Sequence, residues 1–149
     1  MSSSQIQNSG LKLDSNTDNN FAERDHVRVI LSVTPDVNPF AGGTAPTGPV
    51  MSLTKLPNDM VHLSWSGLTG TAGANTKLEW TADIPAAFRP QKTRQGIVSV
   101  KDNGAFAAGL ITINIDGDVI FSTAADAAFT AANACGAVDG GFTYHLGQY

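Results

Sequence analysis

Residues 111–121 read Ile-Thr-Ile-Asn-Ile-Asp-Gly-Asp-Val-Ile-Phe, a pattern that fits an antiparallel β-hairpin. Ile111, Ile113 and Ile115 alternate with Thr112 and Asn114, and a period of two puts the isoleucines on one face of a strand. Asp116-Gly117 follows at once. Glycine takes positive φ without steric cost, so the pair is a strong hairpin signal. Val119, Ile120 and Phe121 resume as the return strand. One face of such a hairpin is apolar and needs a cover.

The rest of the chain supplies more strands to do the covering. Residues 27–33 alternate, with Val27, Val29, Leu31 and Val33 on one face and Arg28 and Ser32 on the other. Residues 50–56 form a second strand, stopped by Pro57-Asn58-Asp59. In 60–65, Val61, Leu63 and Trp65 oppose Met60, His62 and Ser64. Residues 66–75 are rich in Gly and Thr and read as a loop. In 76–82, Leu78 and Trp80 share a face, and Pro85 ends the run. The corner 84–90, Ile-Pro-Ala-Ala-Phe-Arg-Pro, places Phe88 as a core plug and lets Arg89 cap or pair nearby. Residues 95–101 form a strand, Asp102-Asn103-Gly104 a turn suited to positive φ, and 106–115 the return. The alanine-rich stretch 124–134 favours helix by propensity but has no wide apolar stripe. It reads as a loop or short edge strand, with a helical turn as the alternative. Phe142, Tyr144 and Leu146 make a last strand. About seven or eight strands over 50–149, separated by turn signals, predict an all-β sandwich or barrel.

Length and charge set the outer bounds. A chain of 149 residues suits one domain plus an arm. Only 15% of residues are charged, against about 25% in ordinary globular chains. Such a surface suits a virion, secreted or surface protein, or one that buries much of itself against its own copies. Net charge is −4, and no aromatics interleave with Arg89, Lys92, Arg94 and Lys101, so nucleic-acid binding is not expected. No apolar run approaches the ~20 residues of a membrane span. Met-Ser-Ser-Ser-Gln lacks the regions of a signal peptide, so the protein is expected in the cytosol or in a particle assembled there.

Residues 1–33 form an arm with one strand, 34–49 a linker, and 50–149 the main domain. The arm is polar apart from Ile6, Leu11, Leu13 and Phe21, and so buries too little to order itself alone. The linker holds Pro35, Pro39, Pro46 and Pro49 among Gly42, Gly43 and Gly48, which lets the arm and its strand dock apart from the main domain. Asp14, Asn16 and Asp18 share the spacing of a calcium loop, but Asn19 stands where Gly is needed and Asp25 where Glu is. A polar arm is the better reading.

No enzyme chemistry assembles from the sequence. His26, His62 and His145 are far apart and form no paired metal motif. His145 is the one to watch as an ion ligand or pH switch near a symmetry axis. No Gly-x-Ser-x-Gly elbow is present. Asp116 and Asp118 fit exposed turn formers better than a glycosidase pair. Cys135 has no partner for a disulfide and is expected to be a buried, inert thiol. No cofactor and no metal are expected.

From Val61 onward the chain resembles the C-terminal knob domains of tailed-phage fibres and related virion proteins. The resemblance rests on Leu63-Ser64-Trp65-Ser66-Gly67-Leu68, the 84–90 corner, Val100-Lys101-Asp102-Asn103-Gly104, residues 113–119 and Gly141-Phe142-Thr143-Tyr144. It implies a homotrimeric jelly roll like the complement globular head and tumour necrosis factor, with no catalytic set. Trp65, Trp80, Phe88, Phe142, Tyr144 and His145 are then candidates for the core or the trimer interface. A short arm without a coiled-coil heptad departs from a fibre tip. It points to a trimeric capsid decoration (cement) protein on the virion surface, with Leu11, Leu13 and Phe21 gripping the major capsid protein. The alternative is a receptor-binding tip that holds a host glycan or protein with loops 66–75 and 122–134.

Overall fold

A computed structural model describes residues 28–32, 50–71, 77–80, 84–130 and 134–148, with the backbone alone at 28–32, 50 and 68. Ten strands follow in chain order: β1 Arg28–Ser32, β2 Val50–Leu56, β3 Met60–Trp65, β4 Leu68–Thr71, β5 Leu78–Trp80, β6 Arg94–Asp102, β7 Ala105–Ile113, β8 Val119–Thr123, β9 Ala134–Ala137 and β10 Gly140–His145. One 3-10 turn, Ala86–Phe88, interrupts them, and no α-helix occurs among the described residues. The fold class is all-β.

The strands make two antiparallel sheets, a four-stranded one ordered β1-β2-β3-β10 and a six-stranded one ordered β4-β9-β6-β7-β8-β5. Four pairings are nested: β3 with β10, β4 with β9, β5 with β8 and β6 with β7. The inward faces meet in one core. Val61, Leu63, Trp65 and Tyr144 come from the smaller sheet; Leu78, Trp80, Val100, Ile111, Ile113, Val119 and Phe121 come from the larger. Phe121 sits at the join, its ring 5.0 Å from Trp65 of the opposite sheet and 5.5 Å from Trp80 of its own, both edge-on. Edge-on contacts suit the ring quadrupoles and add to the area buried.

Several sequence expectations hold and some are corrected. The burial alternates in β3 and β5 as the hydrophobic pattern requires. Asn103 and Gly104 both take positive φ in the β6–β7 turn. Between β7 and β8 the loop is longer than a two-residue turn. The Gly117 amide bonds Asn114 O and the Asn114 amide bonds Asp118 O, both at 3.0 Å, with Gly117 at φ 97°. That is a three-residue loop closed by a glycine bulge. Ile115 therefore leaves the strand, which ends at Ile113, and lies 53% exposed instead of sharing the buried face.

Residues 66–75 are not all loop: Leu68–Thr71 is β4, paired with β9 over Ala134–Ala137. This pair raises the count from β2 onward to nine strands. No helix forms in the described part of 124–134, where Asp126 turns at φ 56°. Strand β1 pairs with β2 along its whole length, so it extends its own chain's sheet instead of docking apart. The arm residues Leu11, Leu13 and Phe21, the calcium-like spacing at 14–25, His26 and the linker 34–49 lie outside the described residues.

Candidate interaction surface

The motif residues singled out in the sequence come together as internal braces. In the 84–90 corner, the Phe88 amide bonds Pro85 O at 2.8 Å and the Ile84 amide bonds Gly117 O at 3.1 Å. Arg89 Nε donates to Ile84 O at 2.6 Å, folding its side chain back over the corner. The buried Tyr144 hydroxyl donates to Phe88 O at 2.7 Å. Its burial pushes the phenol's pKa well above the ordinary range, because an anion there would lose its hydration. Trp65 Nε1 donates to Val138 O at 2.6 Å. The corner, the β7–β8 loop and β10 are thus fastened together across more than fifty residues of sequence.

These positions account for most of the residues expected in the core or at a trimer contact. Trp65, Trp80, Phe88 and Tyr144 are buried. Phe142 is half-buried and lies over Gly96, where a Cβ would collide with its ring. His145 is half-buried, and its Nδ1 accepts the Gly147 amide at 2.8 Å. His62 bonds Thr143 Oγ1 at 2.8 Å on the outer face of the smaller sheet. Cys135 is fully buried. Asp116 is exposed in the β7–β8 loop. No cluster of three or more His, Cys, Asp or Glu able to hold a metal occurs among the described residues. No helix among them is long and apolar enough to cross a membrane.

The surface that stands out belongs to the β6–β7 hairpin. Strand β7 runs alongside β6 from 105 to 113, but β8 flanks it only from 109 to 113. Residues 105–108, Ala-Phe-Ala-Ala, project beyond β8, and all four are exposed, while Gly109, Ile111, Thr112 and Ile113 are buried. Phe106 is 75% exposed and Ile97 69%. On the outer face the register gives three rows: Ile97 beside Leu110, Ser99 beside Ala108, and Lys101 beside Phe106. Large, small and large rows leave an open trough of about 570 Å³ bordered by Ile97, Ser99, Phe106 and Ala108. Lys101 Nζ lies 5.4 Å from the Phe106 ring centre, within cation–π range.

This surface was missed in the sequence, although a signal was present. Ile97-Val98 breaks the alternation of β6, and 105–108 contain no polar residue. A strand that is apolar on both faces needs covering on both. No protein-family model matches the sequence, and no curated protein matches it.

Proposed function

We propose that this chain is a structural protein of a phage particle: a homotrimeric jelly roll that decorates the capsid surface. It stabilises the shell by binding the major capsid protein through its N-terminal part, after assembly in the host cytoplasm. The observation that supports an interaction role is the exposed apolar segment 105–108, which no strand among the described residues flanks on the β8 side. Isolated exposed apolar residues are normal, but a contiguous patch that includes a bare strand edge marks a contact surface. The nested order of four strand pairs supports the jelly-roll reading, since a jelly roll folds from one long hairpin, although here β5 and β8 continue the larger sheet. The low charge content of 15% suits a protein that spends its life in contact with other subunits.

The test uses the full chain with Leu11, Leu13 and Phe21 all changed to serine. The reading expects an unchanged oligomer and loss of binding to purified capsids. A wild-type protein that binds host cells and never capsids would replace this reading with that of a receptor-binding tip for a host glycan or protein.

A further inference from the structure

We propose that Asn103 is a deamidation site that the fold holds shut, through the hydrogen bond from the Gly104 amide to Ala134 O. The inference concerns the chemistry of the chain itself and is independent of its partners.

Asn103-Gly104 is the one Asn-Gly pair in the sequence, and both residues are exposed in the turn between β6 and β7. The reaction needs only water. The Gly104 nitrogen attacks the side-chain carbonyl carbon of Asn103 and forms a C–N bond to it. The side-chain nitrogen leaves as ammonia, taking the proton of the Gly104 amide, and a five-membered succinimide remains. Water then opens the ring, its hydroxyl adding to one carbonyl carbon and its hydrogen to the ring nitrogen. Opening at one carbonyl gives aspartate. Opening at the other gives isoaspartate, with an extra methylene in the main chain. Glycine is the residue that best permits the attack, because no side chain crowds its nitrogen.

Two features of the turn oppose the reaction. Asp102 pairs with Ala105, so Asn103 and Gly104 are the two central residues, at φ 53° and 80°. Positive φ at both is the geometry that matches the twist of the flanking strands. The second feature is the bond from the Gly104 amide to Ala134 O, at 2.8 Å. The attack requires the peptide plane between 103 and 104 to rotate until its nitrogen faces the side-chain carbon. A plane whose N–H is tied to the start of β9 cannot make that rotation while the bond lasts.

The acceptor is itself held in place. Ala134 pairs with Thr71 of β4. Four residues before it, the Thr130 amide donates to Asp102 Oδ1 at 2.7 Å and Thr130 Oγ1 to Asp102 Oδ2 at 3.1 Å. Asp102 therefore ties down the approach to β9 from the same turn that β9 restrains. The reaction proceeds from the fraction of molecules in which the contact with Ala134 is open. Conversion then adds a carboxylate next to Asp102. The isoaspartate product also lengthens a turn whose length sets the hairpin register.

The experiment follows the full chain at mildly alkaline pH, in native buffer and in guanidinium chloride. Peptide mapping by mass spectrometry reads the gain of about one dalton at Asn103, and chromatography separates the aspartate and isoaspartate products. Wild type should convert at least about fivefold more slowly when native than when unfolded, the population effect of one typical hydrogen bond. Asn114, whose neighbour Ile115 crowds the attacking nitrogen, is the internal control and should stay unconverted under both conditions. Asp102→Ala, shown to be folded by circular dichroism, is compared with its own unfolded rate, and the ratio should fall well below that of wild type. No conversion of unfolded wild type overturns the site. Equal native and unfolded rates in wild type overturn the restraint by the fold. A ratio unchanged in Asp102→Ala overturns the part given to the contact with β9. Should Asp102→Ala fail to fold, Thr130→Val takes its place. It removes only the hydroxyl bond, and the ratio should fall in the same direction.

Discussion

The two turns of strand β7 look alike in sequence and carry very different burdens. Asn103-Gly104 precedes the strand and Asp116-Gly117 follows it, and both glycines take positive φ, 80° and 97°. Around Gly104 an added Cβ would meet nothing within 4 Å. At Gly117 it would come within 2.7 Å of Arg89 Nε and 2.8 Å of Ile84 O. One turn ends a hairpin that reaches past β8 on one side; the other is locked against the 84–90 corner. Strand β7 therefore passes from a bare end to a buried one within nine residues. The Gly117 end is packed against the 84–90 corner, whereas the Gly104 end is tied by hydrogen bonds, from the Gly104 amide to Ala134 O and from Thr130 to the Asp102 carboxylate, with its glycine facing open space.

Substitutions at the two ends should separate them. Gly117→Ala combines backbone strain with a clash against a backbone carbonyl, and should destabilise the fold by ~2–4 kcal/mol, read from the denaturant midpoint. An equal effect at Gly104 would erase the contrast. Tyr144→Phe keeps the ring but strips Phe88 O of its buried donor, and should cost about 1–3 kcal/mol. Gly104→Ala has open space and bears only the left-handed backbone penalty, about 1–2 kcal/mol.

The smallest effects concern titration. Tyr144 has its pKa raised by burial, so the neutral phenol is favoured in the folded state. Its contribution is complete below the unfolded pKa of about 10. It is lost as pH rises further, because the unfolded chain ionises first. In Tyr144→Phe the alkaline loss of stability above that pH should be reduced, as measured by melting temperature against pH. At the other extreme, the hydrogen bond from Lys77 holds the Asp126 carboxyl below its usual range. That contribution is present above the unfolded carboxyl pKa and disappears as pH falls through the folded one. The pair is exposed, so solvent screening keeps its effect close to the noise of a melting experiment.

Much of the interior was legible in the sequence because it obeys local rules. Alternation marked β3 and β5, Asn103-Gly104 marked its turn, and the proline-flanked corner delivered Phe88 to the core. The misses have physical causes. Strands β4 and β9 read Leu-Thr-Gly-Thr and Ala-Cys-Gly-Ala; both are short and hold a glycine, and β9 adds two alanines, residues depleted in strands. Pairing with each other holds them extended, and β9 also pairs with β6 at Val100 and Lys101. Context of this kind routinely overrides strand propensity. Ile115 misled because the period of two continued one residue pair beyond the end of the strand. The hairpin surface was overlooked because apolar alternation was taken to mean burial. Whether an apolar face is covered depends on how far its neighbours extend, and β8 stops short at Gly109.

Amide hydrogen exchange along β7, followed over a range of protein concentrations, tests the central claim most directly. The account predicts that amides at 109–113 are slow at every concentration. The outward-facing amides at 105–108, which β8 does not flank, should exchange fast. Exchange at 105–108 as slow as at 109–113 would contradict it.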